Sequence, residues 1–191
     1  MYRIISGKWK AKRIAAPKNF DIRPTTDFAK EALFSILANR YDVEYCSVLD
    51  LFAGIGSISL ELASRDCNDI TAVEMNPKHA AFINSTASEL EMALQINVQR
   101  GDVFEWLKKN RTKKLYDIVF ADPPFELEEK KYNELISLVL NNEFLKENGT
   151  FVLEHQSKMK LEHPNLTETR KYGNVSFSFF SSEMRVTSYE V

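Results

Sequence analysis

The sequence predicts a doubly wound α/β domain, with a mostly parallel sheet between helices and an antiparallel hairpin at one edge. From Ser47 onward, short apolar runs alternate with segments of helical periodicity, as consecutive βαβ units require. A tight glycine turn, AGIGS, follows the first apolar run. Near the end of the chain, two β-rich runs flank Gly173 and Asn174, which indicates a hairpin.

The predicted elements follow one another without a repeat or a low-complexity linker. Strands are expected at 47–52, 69–75, 96–102, 116–124 and 149–155, and the hairpin at 166–173 and 175–181. Helices are expected at 58–65, 76–92, 103–110 and about 129–142. Asn76 is a suitable N-cap for the second of these helices, with Pro77 in its first turn. In such a fold, ligands bind beyond the carboxyl ends of the strands.

Ahead of this domain, residues 1–40 are predicted to form an extension that packs beside the main domain, residues 41–191. Apolar side chains lie at helical spacing within residues 23–41, where Thr26 or Asp27 can cap a helix. Residues 1–22 indicate a small β-rich segment. We therefore expect an appendage of the main fold.

The composition fits one soluble domain with a substantial core, since 44% of the 191 residues are hydrophobic and 27% are charged. No apolar run approaches the ~20 residues that a membrane-spanning helix needs. Two cysteines are too few for a disulfide framework or a cysteine-based zinc site, and the three histidines are scattered. We expect a cytoplasmic protein, in a reducing setting, with no membrane partner and no metal.

The net charge of −2 conceals a basic N-terminus. Residues 1–24 contain one acidic residue, Asp21, against seven basic ones: Arg3, Lys8, Lys10, Lys12, Arg13, Lys18 and Arg23. A polyanion is the natural partner of such a segment, although a solvated terminus that binds nothing has the same composition. Trp9 and Arg13 can stack on bases, which favours a nucleic acid.

Three features at predicted strand ends indicate a nucleotide-like ligand. The glycine turn after the first strand allows a ligand to approach the backbone closely, and the next helix offers free N–H groups. A plain βα turn without a ligand would need the same glycines. Glu74, about 20 residues past the turn, is placed to accept hydrogen bonds from ribose hydroxyls. Asp102, after the third strand, can accept from the exocyclic amine of an adenine or cap the helix that follows it.

The stretch FADPPF, residues 120–125, ends the fourth strand with a rigid loop. Prolines stop a strand, because they lack the N–H that a ladder needs. The ionised Asp122 carboxylate and the Pro123 carbonyl are two adjacent acceptors, which can hold an –NH₂ group with its lone pair toward an electrophile. Phe125 adds a flat apolar face for a base. Strand termination alone does not explain the acid and the aromatic residue.

In order along the chain, DLFAGIGS, VEMN, GD and DPPF resemble the motifs of class I S-adenosylmethionine-dependent methyltransferases, with DPPF similar to the signature of amino-methylating members. The segments RIISGKWKAKRI and RPTTDFAKEALFSIL narrow the resemblance to bacterial 16S rRNA guanine-N2 methyltransferases of the RsmD type. The resemblance covers nearly the whole chain. It implies a Rossmann-like fold, with a mostly parallel seven-stranded sheet, an antiparallel C-terminal hairpin strand and a small N-terminal extension of β-structure and a helix.

The resemblance also implies a site and its partners: S-adenosylmethionine as cofactor, 16S rRNA or an assembled or assembling small subunit as substrate, and a monomeric enzyme. Asp122, Pro123 and Phe125 would hold and stack the target base. The implied cofactor contacts are Asp50, Phe52, Ala53, Gly54, Gly56, Glu74, Met75, Asp102, Val103 and Asp122. The implied RNA contacts are Arg3, Lys8, Trp9, Lys10, Lys12, Arg13, Arg23 and Thr25.

Two residues depart from the family pattern, and three other functions stay open. Ser6 stands where a glycine is usual, and Phe28 stands where an arginine often follows the RPTTD aspartate. A DNA or RNA adenine-N6 methyltransferase shares the amine chemistry, although DNA-modifying enzymes need a target-recognition region for which this chain has no room. An NAD-dependent oxidoreductase leaves DPPF unexplained, and GIGSIS lacks a third glycine. A non-catalytic RNA-binding module on the same fold is the third alternative.

Overall fold

The computed structural model describes residues 2–17, 20 and 26–182. The nine strands of these residues are β1 Tyr2–Arg3, β2 Arg13–Ile14, β3 Ser47–Leu51, β4 Asp69–Glu74, β5 Ile96–Arg100, β6 Tyr116–Ala121, β7 Leu145–Gln156, β8 Leu166–Tyr172 and β9 Val175–Ser181. Their helices are α1 Asp27–Arg40, α2 Ser57–Ser64, α3 Pro77–Glu89, α4 Val103–Lys109 and α5 Glu129–Asn141, with a 3₁₀ turn at Val43–Tyr45.

Seven strands form one sheet in the order β5-β4-β3-β6-β7-β9-β8. The pairings from β5 to β7 are parallel, whereas β9 and β8 add an antiparallel edge. The strand order reverses between β3 and β6, where Leu51 and Ala121 are register partners. A switch point of this kind opens a crevice at the carboxyl edge of the sheet. The loops after Leu51 and Ala121 therefore begin side by side.

Side-chain caps start the helices where the sequence predicts them. Thr26 accepts a hydrogen bond from the Ala29 N–H at 3.2 Å and begins α1. Asn76 accepts from the Lys78 N–H at 2.9 Å, ahead of Pro77 at the start of α3. Each cap satisfies one of the amide groups that a helix N-terminus leaves without a partner.

Two apolar clusters cover the two faces of the sheet. One joins Val48, Ile118 and Val152 of the sheet to α1, α2 and α3 and to Tyr2 and Ile14 of the two N-terminal strands. The other packs α4 and α5 on the opposite face. The N-terminal extension therefore shares its core with the sheet. None of the helices within the described ranges is long and apolar enough to cross a membrane.

The predicted fold class is confirmed, and the differences lie at element ends. The strand predicted over 96–102 ends at Arg100, and the strand predicted over 116–124 ends at Ala121. The strand predicted over 149–155 begins earlier, at Leu145, because residues before Gly149 continue the pairing with β6 across a register shift. The helix predicted over 23–41 is α1, of which residues 23–25 lie outside the described part.

Candidate active site at the carboxyl edge of the sheet

Backbone hydrogen bonds tie the ends of the central strands to the loops that follow them. The Ala53 N–H donates to the Val73 carbonyl at 3.0 Å, across β3 and β4. The Gly101 N–H donates to the Glu74 carbonyl at 3.1 Å, and the Asp122 N–H to the Leu51 carbonyl at 3.4 Å. The glycine turn, Glu74, Asp102 and the DPPF loop are thus brought to one edge of the sheet.

The two glycines of the turn, Gly54 and Gly56, have different structural roles, although both have positive φ. A Cβ added to Gly54, at φ +56°, would have no neighbour closer than the Phe52 carbonyl oxygen at 4.0 Å. A Cβ on Gly56, at φ +79°, would lie 2.9 Å from Cγ1 of Ile83. Gly54 therefore keeps the turn open to a ligand, while Gly56 allows α2 and α3 to pack closely. Phe52 also has a positive φ, at 59°.

Glu74 is buried and holds the glycine turn with its carboxylate. Its Oε2 accepts from the Gly54 N–H at 2.8 Å, and its Oε1 accepts from the Asn76 N–H at 2.7 Å. The Nδ1 of His79 lies 3.7 Å from Oε1. A carboxylate can accept about four hydrogen bonds, so these contacts leave room for two hydroxyl donors. The neighbouring Met75 is 65% exposed and lies open at the same edge.

Asp50 is fully buried beneath the turn. Its Oδ2 accepts from the Ser59 hydroxyl at 2.5 Å, which joins the end of β3 to α2. Burial raises the pKa of the Asp50 carboxyl to about 7, with a smaller contribution from the charge of Glu74. Asp50 thus joins the strand before the turn to the helix after it.

Asp102 acts as a helix cap in the structure. Its Oδ1 accepts from the Glu105 N–H at 3.0 Å and begins α4, next to the buried Val103. The Asp102 side chain is exposed at the sheet edge. Capping occupies one of its acceptor positions, and the contact with an adenine remains a prediction.

The DPPF loop is held from two directions. The Pro124 carbonyl accepts from the Leu127 N–H at 3.0 Å, and the Phe125 carbonyl accepts from Nε2 of Gln156 at 3.2 Å. Asp122 and Phe125 are half-buried. A cavity of about 420 Å³ lies beside the loop and is lined by Phe125, Glu126, Gln156, Ser157, Lys158 and Asn174.

Tyr132 of α5 is a residue of this region that the sequence patterns do not reveal. Its side chain is fully buried, and its hydroxyl has no hydrogen-bond partner among the described residues. Burial, reinforced by the charges of Asp122, Glu126 and Glu154, raises the pKa of Tyr132 to about 12. Because Tyr132 occupies an apolar position of an amphipathic helix, its pattern is that of an ordinary core aromatic.

Two basic residues near the N-terminus, Lys8 and Lys12, lie beside the C-terminal end of α3. Lys8 and Lys12 form ion pairs with Glu91 and Glu89, at 3.0 and 3.4 Å. Glu89 is the last residue of α3 and Glu91 follows the helix, about 20 Å along its axis from the sheet edge where α3 begins. The Lys8 and Lys12 contacts are therefore remote from the strand-edge loops.

The other predicted RNA contacts occupy varied surroundings. Arg3 pairs with Asp27 at 3.2 Å. Trp9 packs against the core, with its indole N–H buried and without a partner among the described residues. Lys10, in the turn between β1 and β2, and Arg13 are exposed, whereas Arg23 and Thr25 lie outside the described residues.

No group of three or more His, Cys, Asp or Glu side chains in residues 2–17, 20 and 26–182 is placed to hold a metal ion. The polar groups at the strand edge are instead hydrogen-bond acceptors around an open backbone turn.

Comparison with known proteins identifies the family. A family model described as conserved hypothetical protein 95 matches residues 2–181. The chain is 31% identical over 183 residues to the Ribosomal RNA small subunit methyltransferase D of Buchnera aphidicola, covering 93% of this chain and 90% of that protein.

Solved structures share the fold. The Escherichia coli protein yhhF superposes with a TM-score of 0.80 at 27% identity, covering 96% of this chain and 99% of that one. A SAM-dependent methyltransferase from Neisseria gonorrhoeae is similar in fold alone, with a TM-score of 0.64 at 19% identity over 84% and 70% of the two chains. The sheet order, the strand-edge loops and these matches show that the chain has the class I methyltransferase fold and belongs to the conserved hypothetical protein 95 family, the RsmD family.

Proposed function

We propose that this protein transfers a methyl group from S-adenosylmethionine to the exocyclic N2 amine of a guanine in 16S ribosomal RNA. One observation carries the proposal: the glycine turn and the DPPF loop start side by side, at Leu51 and Ala121, where the strand order reverses. A cofactor on one loop would therefore meet an acceptor amine on the other. The Buchnera relative is named as a ribosomal RNA small subunit methyltransferase, which supports ribosomal RNA as the substrate.

The turn fits the proposed cofactor. The space above Gly54 is free of protein atoms to 4.0 Å, so a ligand can lie against the backbone. The residues proposed to hold S-adenosylmethionine are Asp50, Phe52, Ala53, Gly54, Gly56, Glu74, Met75, Asp102, Val103 and Asp122. When bound, the cofactor supplies a methyl group on an electrophilic sulfonium. Glu74 is the proposed ribose acceptor, and its two backbone hydrogen bonds hold its carboxylate in a fixed orientation.

The DPPF loop is proposed to orient the target amine. The Asp122 carboxylate and the Pro123 carbonyl would accept its two N–H groups, which leaves the nitrogen lone pair directed toward the methyl group. The half-exposed ring of Phe125 would stack on the base once the base has left its own stack. Most of the acceleration would come from positioning, because the electrophile is already reactive.

The N-terminal extension, residues 1–40, is proposed to bind RNA beside the catalytic domain, residues 41–191. Arg3, Lys8, Lys10, Lys12, Arg13 and Arg23 would contact phosphates, with Trp9 and Thr25 as further contacts. Phosphate contacts position an RNA without reading its sequence, so specificity would come from the shape of a loop and its unpaired bases. Such a substrate, free or in an assembling subunit, implies a cytoplasmic enzyme, which we expect to act as a monomer.

A methyl-transfer assay with nucleoside analysis tests the proposal. The protein is incubated with methyl-labelled S-adenosylmethionine and, separately, naked 16S rRNA, small subunits lacking the modification, or duplex DNA. The RNA is then digested to nucleosides. Label in N2-methylguanosine from RNA or subunits is the expected result.

Three outcomes would contradict the proposal in different ways. Label in N6-methyladenosine would replace guanine by adenine, and label in DNA alone would replace the substrate class. RNA binding without any transfer, under conditions in which a known methyltransferase is active on the same RNA, would indicate a non-catalytic binding module.

A further inference from the structure

The N-terminal extension contacts the glycine turn directly. The hydroxyl of Tyr2, in β1, donates to the carbonyl of Ile55 at 3.1 Å, and both residues are 4% exposed. Ile55 lies between Gly54 and Gly56. A residue at the very start of the described chain therefore supports the centre of the proposed cofactor turn from behind.

Lys30, in α1, links the extension to the first residue after the turn. Its ammonium is fully buried and donates to the Arg3 carbonyl at 2.6 Å and to the Ser57 hydroxyl at 3.4 Å. It also lies 5.1 Å from the centre of the Tyr2 ring. Tyr2 and Lys30 thus contact the residues on either side of Gly56.

The charge of Lys30 is balanced by Glu61 of α2, at 3.5 Å and also fully buried. The Glu61 carboxylate accepts from the backbone N–H groups of Ile5 and Ser6, at 2.7 and 3.0 Å, and from Arg65 at 2.9 Å. Removing one member of a buried pair leaves the other uncompensated, so the network holds one arrangement firmly. It fixes the extension to α2, the helix that begins at the turn.

We propose that Tyr2 and Lys30 are positioning residues that hold backbone residues 55–57 in the shape that binds S-adenosylmethionine. The inference rests on the proposed cofactor and gives the extension a second task, distinct from contacting RNA. Neither side chain touches the proposed substrates. Each acts through the Ile55 carbonyl or the Ser57 hydroxyl.

The test compares two tyrosine-to-phenylalanine variants. Tyr2→Phe removes the hydroxyl that supports Ile55. Tyr41→Phe is the control, because the Tyr41 hydroxyl contacts the Asn148 carbonyl at 2.9 Å and the Thr150 hydroxyl at 2.7 Å, away from the turn. Loss of one such hydrogen bond corresponds to about a fivefold change in an equilibrium constant. In Tyr2→Phe we expect about that rise in the Kd for S-adenosylhomocysteine and in the KM for S-adenosylmethionine, with kcat and the KM for RNA unchanged.

The control separates positioning from stability. Tyr41→Phe should also lower Tm, and it should leave the Kd for S-adenosylhomocysteine unchanged. Equal Kd values for Tyr2→Phe and the unsubstituted protein would overturn the inference. Equal weakening by Tyr41→Phe would also overturn it, since the effect would then reflect general stability.

Hydrogen exchange gives a readout that needs no cofactor. The amides of residues 54–57 should exchange about fivefold faster in Tyr2→Phe, by loss of one hydrogen bond, and not in Tyr41→Phe. Faster exchange in a protein that binds no S-adenosylhomocysteine would refute the proposed function while showing that the support of the turn is real. Unchanged exchange would refute the support itself.

A second variant examines the Lys30 link. Lys30→Met combined with Glu61→Gln removes both buried charges together, so that neither is left uncompensated. We expect weaker S-adenosylhomocysteine binding and faster exchange at residues 54–57. Binding and exchange equal to those of the unsubstituted protein would remove Lys30 from the inference, and Tyr2→Phe tests the other residue independently.

Discussion

The N-terminal extension and the strand-edge loops differ in the surroundings of their polar groups. Where the extension meets α2, the charges of Lys30 and Glu61 are buried and each makes several hydrogen bonds or ion pairs. At the strand edge, the Gly54 backbone faces open space, and Met75 and Asp102 are exposed. Polar groups that satisfy one another fix a shape, whereas polar groups arranged around open space are suited to a ligand.

The largest effect should come from Asp122→Ala, which removes a proposed acceptor of the target amine. We expect kcat for methyl transfer to fall roughly 10²–10³-fold, as for the loss of one positioned hydrogen-bonding group in a reaction centre. Single-turnover transfer to RNA measures this change.

Asp117→Ala is the matched control for Asp122→Ala, because Asp117 lies on β6, the strand that Asp122 directly follows. Its carboxylate accepts from Ser47 at 2.7 Å and from Lys146 at 2.7 Å, near the start of the strand. The control should lower stability and keep kcat within about threefold, since it lies away from the strand edge. Equal kcat values for Asp122→Ala and the unsubstituted protein would remove Asp122 from the reaction.

The next effect concerns pH and Asp50. Because burial raises the folded-state pKa of Asp50 to about 7, the native state binds one more proton than the unfolded state between about pH 4 and pH 7. The Asp50 contribution to the free energy of unfolding is therefore present below about pH 4 and is lost as the pH rises toward 7. A shift of about three pKa units corresponds to about 4 kcal/mol.

Denaturant titrations of the unsubstituted protein and Asp50→Asn across this range measure the Asp50 contribution. The difference between the two free energies of unfolding should change by that amount between about pH 4 and 7 and stay constant above it. A difference that does not vary with pH would show that Asp50 keeps an ordinary pKa.

Within the strand edge, Gly54 and Gly56 are expected to differ in their effects on stability and on ligand binding. Gly56→Ala should cost about 2–3 kcal/mol of unfolding free energy, because the new Cβ meets Ile83 and strains a positive φ. Gly54→Ala should cost about 1 kcal/mol, from the positive φ alone. Gly54→Ala should nevertheless weaken the binding of S-adenosylhomocysteine more than Gly56→Ala does. If Gly54→Ala cost more stability than Gly56→Ala, or weakened binding less, the assignment of ligand access to Gly54 and of helix packing to Gly56 would be wrong.

The smallest effects belong to the exposed lysines of the extension. The Lys8 and Lys12 ion pairs are largely solvent-exposed, so their loss should change stability by less than about 1 kcal/mol. Replacing Lys8, Lys10 and Lys12 by alanine should weaken RNA binding and flatten its salt dependence, by about one unit of slope per phosphate contact.

Lys114→Ala is a suitable control for the lysine variants, because Lys114 is a half-exposed lysine outside the extension, paired with Asp69. It should leave the salt dependence of RNA binding unchanged. An unchanged salt dependence in the triple variant would show that these three lysines do not contact RNA.

The sheet and its edge loops could be predicted from the sequence because their signals are local. The glycine turn, Glu74 and DPPF each follow an apolar run within a few residues, and the parallel topology brings such positions together. Strand ends were less predictable, since the pairing stops at Arg100 and Ala121 before the motif residues begin.

The Lys30–Glu61 network could not be predicted in the same way, because it depends on contacts between distant segments. Lys30 and Glu61 each sit among apolar neighbours in their helices, and each pattern taken alone is that of a snorkelling surface charge. Tyr2 gave no signal, since its partner is the backbone of Ile55, 53 residues away. The basic charge of the extension could be read from the sequence, but the buried polar contacts of Tyr2 and Lys30 could not.

The most direct test of the central claim is a calorimetric titration of the protein with S-adenosylhomocysteine and, separately, with NAD. We predict one site for S-adenosylhomocysteine, no binding of NAD, and at least about tenfold weaker S-adenosylhomocysteine binding in Glu74→Ala, through loss of charge-assisted hydrogen bonds. Binding of NAD without S-adenosylhomocysteine would contradict the account. Full-strength binding of S-adenosylhomocysteine by Glu74→Ala would equally show that the cofactor does not lie on this edge of the sheet.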